Sequence, residues 1–355
     1  MSEKLLVAMS GGVDSSVCAY LLKEQGHDCV GVTMKLLDDY HRDEAGGKTC
    51  CSLEDVEDAR AVAFRLGLPY YVFNFVEDFR EGVMAPFAAA YERGETPNPC
   101  IECNRRLKFG KLYRRAQELG LTGIATGHYA RITVRDGRFC LQKAVDSGKD
   151  QTYMLYCLAQ EELGHAHFPL GDLRKEEVRA IAAEQGFVNA RKRDSQDICF
   201  VPDGDYGAFL ERFTGKPCEP GDILDREGKV AGQHRGAVRY TLGQRKGLGL
   251  AMGEPVYVCA KDMAANTVTV GPESALYTQE CYAGDVNFIS IDSLNAPMKV
   301  TAKARYSQRE VPAVIEPQAD GTVRVVFDSP QRAVTPGQAV VWYQDDLVVG
   351  GGTIR

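Results

Sequence analysis

A short apolar run, Leu5–Met9, ends in Ser10-Gly11-Gly12-Val13-Asp14-Ser15-Ser16, and the chain then reads as a helix over Ser16–Gln25 that stops at Gly26. Nothing else in the sequence restricts the fold so tightly. A strand that turns through two glycines into a helix aims the helix's unpaired N–H groups at whatever lies beyond the strand, and the helix's partial positive charge favours an anion there. Ser10, Ser15 and Ser16 add hydroxyl donors. Asp14 would repel a bare phosphate, which predicts a ligand for phosphate-bound Mg²⁺. No Gly-Lys-Ser/Thr follows, so this is not the Walker loop. The ordinary alternative is a glycine-rich turn with a Ser or Asp helix cap.

Strand-like and helix-like segments alternate through the first half. Cys29–Met34 is a second β-rich run, Tyr70–Phe75 a third and Ile124–Thr126 a fourth. Between them, Val56, Ala59, Val62, Ala63 and Leu66 recur at helical spacing, and a helical stretch runs to about Arg93. Asn104 reads as the N-cap of a helix closed by Gly120. This alternation predicts an α/β fold with a parallel sheet covered by helices on both faces. Arg131–Lys143, around Asp136-Gly137, reads as a hairpin. Helical spacing returns over Lys175–Gln185 and Tyr206–Phe213. Beyond about residue 220 short β runs take over, among them Pro255–Cys259, Thr267–Val270, Lys299–Ala304, Thr322–Phe327 and Ala339–Tyr343. Their punctuation by Gly and Pro predicts one or two small barrels. The expected domains are 1–205, 206–279 and 280–355, the middle one small and β-rich.

The 355 residues are 44% hydrophobic and 26% charged, which excludes a disordered chain or a disulfide scaffold. No run approaches the roughly 20 apolar residues of a membrane span. The N-terminus lacks a signal-peptide pattern, so a cytoplasmic location is expected. Twelve cysteines are then expected as thiols with catalytic, redox or metal-binding uses, most being plain buried residues. The formal charge of −7 does not suggest a nucleic-acid binder, but the charges are segregated. Residues 38–58 hold eight acids against two bases, while 104–115 carries six bases and no acid. Lys229, Arg235, Arg239, Arg245 and Lys246 form a second basic stretch. Such patches suit a polyanion or are solvated faces.

Two cysteines stand out by their surroundings. In Thr96-Pro97-Asn98-Pro99-Cys100-Ile101-Glu102-Cys103-Asn104, two prolines fix a loop that delivers Cys103 to the start of a basic helix. Helix N-termini and neighbouring cations favour the thiolate. In Asp194-Ser195-Gln196-Asp197-Ile198-Cys199-Phe200, a polar stretch ends at a cysteine. Cys50-Cys51 and the remaining cysteines read as non-catalytic, and His128 as structural or a minor nucleotide contact.

The SGGVDSS loop resembles the pyrophosphate loop of the ATP-pyrophosphatase (PP-loop) superfamily, which splits ATP between the α and β phosphates. Taken in order with TPNPxxxCNxxxKF, Gly-His-Tyr-Ala at 127–130, DSxxICF, Ala304-Arg305-Tyr306 and Pro336-Gly337-Gln338-Ala339, it is similar to the tRNA-specific 2-thiouridylase family over essentially the whole chain. The resemblance implies an N-terminal PP-loop domain, a central domain and a C-terminal β-barrel. It implies a sulfurtransferase that adenylates the C2 oxygen of a wobble uridine with ATP and Mg²⁺ and then delivers persulfide sulfur. On it, the nucleotide contacts are Ala8, Met9, Ser10, Gly11, Gly12, Val13, Asp14, Ser15, Met34 and Gly127. Cys199 is the persulfide carrier and Cys103 the nucleophile, left as a Cys103–Cys199 disulfide after turnover. Asn98, Pro99 and Cys100 lie near the target base, and Lys149, Asp150, Gln151, Arg305 and Tyr306 contact tRNA. Arg105, Arg106 and Lys108 suit the anticodon loop. The implied partners are tRNAs for Lys, Glu and Gln and a cysteine desulfurase or sulfur-relay protein as donor, with no membrane.

Many relatives have Asp where this chain has Cys100. Cys100, Cys103 and Cys199 could instead hold a [4Fe–4S] cluster, as in related thiolation enzymes. Two other readings are a PP-loop ligase acting on a small molecule and a non-catalytic RNA-binding protein. The ligase would need a nitrogen donor and no paired cysteines; the binding protein would leave the glycine loop without a purpose.

Overall fold

The computed structural model describes residues 2–38, 52–194 and 198–355. Cys50, Cys51, Ser195, Gln196, Asp197 and most of the acid-rich 38–58 stretch lie outside them.

The first sheet forms as the alternation predicts. Strands β1 (Lys4–Ala8), β2 (Asp28–Lys35), β3 (Tyr70–Asn74), β4 (Gly123–Ala125) and β7 (Ala166–His167) pair in the order β3-β2-β1-β4-β7, every neighbour parallel. Leu5, Leu6 and Val7 are fully buried, because helices cover both faces of β1. Helices α1 (Val13–Glu24), α2 (Leu53–Arg65) and α9 (Lys175–Glu184) pack on one side through Val17, Leu22, Ala59, Val62 and Val178. On the other side lie the helical segments between residues 76 and 118. The order reverses at β1: β2 lies on one side of it and β4 on the other. Loops leaving β1 and β4 therefore diverge and leave a crevice at the strands' carboxyl ends.

The expected helical stretch to Arg93 is not one regular helix. A wide π-type turn at Arg80–Met84 separates α3 (Val76–Phe79) from α4 (Ala85–Glu92). The helix around Asn104 also differs from expectation. It starts at Pro99: α5 (Pro99–Glu102) is capped by Asn98, whose Oδ1 accepts from the Cys100 N–H at 3.1 Å. Asn104 is buried instead, and its Nδ2 donates to the Met154 carbonyl at 3.0 Å. Cys103 opens a π-helical run, Cys103–Lys111, that continues into α6 (Leu112–Glu118). Pro at the first helical position and Asn before it are the true start signals. Cys100 rather than Cys103 therefore lies in the helix's first turn.

The hairpin of β5 (Arg131–Arg135) and β6 (Arg138–Gln142) belongs to a different sheet from its sequence neighbours. Gln142 pairs with Leu347 of β17 (Leu347–Ile354) in the C-terminal half. Short helices α7 (Thr152–Leu155) and α8 (Gln160–His165) follow, and α10 (Tyr206–Thr214) leads into the central domain. There, β8 (Gly221–Leu224), β9 (Val230–His234), β10 (Tyr257–Asp262) and β11 (Thr267–Gly271) pair in the order β10-β11-β8-β9 around Ile223, Val258 and Val268.

The C-terminal strands are β12 (Tyr277–Phe288), β13 (Met298–Lys303), β14 (Val311–Pro317), β15 (Val323–Arg332), β16 (Ala339–Gln344) and β17. They pair in the order β12-β15-β14-β13-β16-β17, and β12 also pairs with β17, closing a six-stranded barrel. On β16, Val340 and Trp342 point into the barrel, whereas Ala339, Val341 and Tyr343 face the first domain's core. A strand with period-2 alternation can be apolar on both sides only if both sides are covered. That shared core fixes the barrel to the five-stranded parallel sheet. Arg305 ties the central domain to it: its Nη2 donates to the carbonyls of Leu242 (3.3 Å) and Ala333 (2.8 Å) and to Thr335 Oγ1 (2.6 Å). Among the described residues, no helix is long and apolar enough to cross a membrane.

Candidate active site

The glycine loop lies in the crevice between β1 and β4. Gly12 is the N-cap of α1 and provides no side-chain cap, so the ordinary Ser or Asp cap is absent and the first N–H groups of α1 face the crevice. Gly11 has φ +77, and a Cβ there would lie 2.2 Å from the Asp55 carbonyl oxygen. Gly127, following β4, abuts the start of α1, where a Cβ would lie 2.8 Å from the Ser15 nitrogen. The two loops therefore touch through glycines. Met34 is half-buried near the carboxyl end of β2.

The serines serve the loop's own shape more than the sequence suggests. Ser15 Oγ donates to the Gly12 carbonyl at 3.0 Å and accepts from the Ser10 N–H at 3.2 Å. Ser16 Oγ donates to the same carbonyl at 3.1 Å and is fully buried. Asn189, which lies in no motif, clasps the loop from outside. Its Nδ2 donates to the Gly11 carbonyl and to Ser16 Oγ, both at 2.9 Å.

Asp14 sits in a charged network. The Tyr129 hydroxyl donates to its Oδ1 at 2.8 Å, and the Lys175 ammonium lies 2.7 Å from both carboxylate oxygens. Lys175 also contacts Asp194 Oδ1 at 2.8 Å; Lys149 and Arg179 reach Asp194 at 2.8 and 2.9 Å. Burial works to raise the Asp194 carboxyl, but the hydrogen bonds from Lys149 and Lys175 hold it below its ordinary value. Lys192 reaches Asp55 and Asp58 at 2.7 and 2.6 Å. Segment 189–194, which leads towards Cys199, is thus fastened beside the glycine loop by Asn189, Lys192 and Asp194. His128 is buried with Nδ1 2.6 Å from Thr126 Oγ1; burial, then the nearby Lys108, keeps its pKa well below the usual value, so the ring is neutral.

Both singled-out thiols are half-buried against one apolar core. Phe200, next to Cys199, packs edge-on against Phe79 (5.6 Å) and Phe87 (5.1 Å), on the helices flanking the π turn. The Cys103–Lys111 run packs on that same turn. Cys29, Cys157 and Cys281 are held as thiols: burial pushes the first up to about 11 and the other two up to about 12. Among the described residues no group of three or more His, Cys, Asp or Glu could hold a metal ion, so the cluster reading of Cys100, Cys103 and Cys199 finds no support.

Two further stretches, 149–153 and 303–306, meet beside Cys100. The Tyr306 phenol is pushed up by burial and then by Asp150, with Lys149 opposing and Cys100 adding to the rise. Lys303, which sequence reasoning missed, lies 5.7 Å from the Tyr306 ring and 6.0 Å from that of Tyr153, and burial lowers its pKa. Its signal was available: a lysine one residue before the Ala-Arg-Tyr motif. Not every expected tRNA contact presents its polar groups outward. Asp150 accepts from the Ala144 N–H (3.0 Å) and Thr152 Oγ1 (2.6 Å), and Gln151 Oε1 accepts from the Tyr129 N–H (2.9 Å). Arg305 is spent on the domain clamp. Arg105 and Arg106 both pair with Glu102, and Arg239 turns onto Asp205 and Glu211. Arg235, Arg245 and Lys246 remain exposed.

The site combines a parallel sheet, a glycine loop at its switch point, two thiols on one core and an attached barrel. Three family models match the chain in turn: a tRNA methyl transferase HUP domain over residues 3–203, a PRC-barrel domain over 207–272 and an aminomethyltransferase beta-barrel domain over 278–354. The chain is 53% identical to tRNA-specific 2-thiouridylase MnmA of Acetivibrio thermocellus over 99% of both chains. It is 52% identical to the protein of that name from Moorella thermoacetica, again over 99% of both, and 49% identical to that of Clostridium acetobutylicum over 100% of both. This chain belongs to the tRNA-specific 2-thiouridylase family. Remote structural likenesses include a 4-thiouridine synthetase–RNA complex with bound ATP, at 19% identity and TM-score 0.38 over 60% of this chain and 50% of that one.

Proposed function

We propose that the protein is an ATP-dependent tRNA-uridine 2-sulfurtransferase acting on the wobble uridine. The observation that carries this reading is a glycine loop in the β1/β4 crevice beside a core that holds both Cys103 and Cys199. Oxide cannot leave C2 of uridine, so O2 must first be adenylated. The N–H groups of α1 and the glycine turn hold the phosphates as pyrophosphate departs. Asp14, at the mouth of the loop, is the residue that would hold a phosphate-bound Mg²⁺, which supplies further neutralisation of the phosphates. Sulfur arrives as a Cys199 persulfide. The Cys103 thiolate attacks the Cys199 sulfur, the disulfide forms, and hydrosulfide released beside the adenylated base displaces AMP from C2; alternatively the terminal persulfide sulfur attacks C2 and Cys103 then resolves the adduct. Both routes end in 2-thiouridine, AMP and a Cys103–Cys199 disulfide that a reductant must open.

The base must be swung out of the anticodon stack to reach this centre. Asn98–Cys100, Lys149 and Tyr306 line the approach, while Asp150, Gln151 and Arg305 brace it. The substrates are the lysine, glutamate and glutamine tRNAs, and a desulfurase or relay protein supplies the persulfide. Mass spectrometry of tRNA nucleosides after reaction with ATP and a persulfide donor tests this: 2-thiouridine must appear, and only with ATP. Its absence from a folded, persulfide-loaded protein would remove the proposal.

Arg235, Arg245 and Lys246 supply phosphate contacts distant from the chemistry. Arg245→Glu with Lys246→Glu should weaken tRNA binding about tenfold or more at low salt and reduce the salt slope by one to two phosphate contacts, roughly 0.7–0.9 log units each. Titration of labelled tRNA at several salt concentrations measures both; an unchanged slope would leave the patch a solvated face.

A further inference from the structure

We propose that Lys175 is a phosphate-binding residue of the nucleotide site, held by Asp14 and Asp194 at the loop's mouth until phosphate oxygens replace the Asp14 carboxylate. The inference rests on the reading of the glycine loop as the ATP site.

Lys175 is the first residue of α9, and its backbone is secured without its side chain. Its N–H donates to Asp146 Oδ2 at 2.9 Å, while the Arg174 N–H donates to Glu177 Oε2 at 2.7 Å. The ammonium is therefore not needed to anchor the helix. It reaches the loop and lies 2.7 Å from both oxygens of Asp14, the second residue of α1. Its side chain is only 10% exposed, and its third recorded oxygen is Asp194 Oδ1 at 2.8 Å. The Tyr129 ring, 5.8 Å away, forms a further wall. Lys149 and Arg179 engage Asp194 and not Asp14. Among the described residues, Lys175 is thus the cation recorded on the loop's own carboxylate.

This placement matters once a triphosphate enters. The glycine turn and the α1 N–H groups supply only partial charge, and Asp14 adds a negative charge beside the phosphates. A divalent cation drawn to the Asp14 carboxylate would lie beside the Lys175 ammonium, and the two like charges compete for those oxygens. A nearly buried ammonium that loses two of its three acceptors must find others nearby, because an unpaired buried charge is costly. The phosphate oxygens are the acceptors that arrive in that event. Asp194 keeps Lys149 and Arg179 throughout, so the exchange strands no carboxylate.

The experiment is equilibrium binding of MgATP and of adenosine to the full chain, with thermal unfolding in parallel. Lys175→Gln should weaken MgATP about tenfold or more, the size of one charge-assisted contact, and leave adenosine within about twofold. Lys175→Arg should recover most of the MgATP affinity. Because Lys175→Gln leaves Asp14 without its cation and can unfold the protein, Asp14→Asn is compared with Asp14→Asn/Lys175→Gln. A lysine that only neutralised Asp14 would make these two equal, whereas a phosphate contact makes the double variant about tenfold weaker for MgATP alone. Equal MgATP affinities, or a parallel loss of adenosine, overturn the inference while leaving the ATP site intact. A parent chain that binds no MgATP overturns the proposed function, and this inference with it.

Discussion

Cys199→Ser protein should form no 2-thiouridine while still exchanging pyrophosphate into ATP in the presence of tRNA. A hydroxyl cannot carry a sulfane sulfur, so the transfer half-reaction falls by at least about a thousandfold, a loss typical of removing a nucleophile. Adenylation draws on the loop, the crevice and the bound base, none of which needs the thiol. Cys103→Ser should show the same split, but for a different reason. It still accepts sulfur on Cys199, which a persulfide-specific label would detect, yet it cannot open that persulfide or resolve the adduct. Cys281→Ala is the control: Cys281 lies in the barrel core, its thiol pushed up to about 12 by burial, and both half-reactions should survive. Equal loss in all three variants would point to misfolding. Thiolation by Cys199→Ser would remove the persulfide scheme.

The parts of this site that were legible in the sequence are those set by local chemistry. Gly11 and Gly12 had to end a strand and start a helix, and they do. The barrel strands were readable because each carries its own period-2 alternation. What local reasoning could not supply was long-range. Residues 131–142 read as a hairpin, but nothing in them shows that Gln142 would pair with Leu347. Asn104 has the side chain of a cap, yet tertiary burial against Met154 decides its role and Asn98 takes the cap. Asp150, Gln151 and Arg305 were expected on tRNA by resemblance, and a motif does not show that each also has partners within the protein. Lys175 lay in a correctly expected helix with no motif around it. Only the fold brings it across 161 positions to Asp14.

Gly11→Ala should destroy nucleotide binding and loosen the whole loop. The left-handed conformation at φ +77 costs a residue with a Cβ about 1–2 kcal/mol by itself. The larger penalty is contact: that Cβ would lie 2.2 Å from the Asp55 carbonyl oxygen and 2.7 Å from its Cα, and backbone atoms cannot yield as a flexible side chain can. Either α2 or the glycine turn must move. If α2 moves, the Ser52/Asp55 capping box and the Lys192–Asp55 ion pair go with it. If the turn moves, Asn189 loses the Gly11 carbonyl, and the N–H groups of α1 no longer converge on the phosphates. MgATP affinity should therefore drop at least about a hundredfold, roughly 2.7 kcal/mol, with a lowered melting temperature in the same protein. Gly12 provides the contrast. Its φ is −86, and a Cβ there meets only Ser10 Oγ at 3.6 Å, an ordinary van der Waals distance. Gly12→Ala should accordingly keep the fold's stability within about 1 kcal/mol of the parent. Calorimetric unfolding of the two variants side by side decides the matter. If Gly11→Ala melts like the parent and binds MgATP equally well, the close approach of Asp55 is not what shapes the loop.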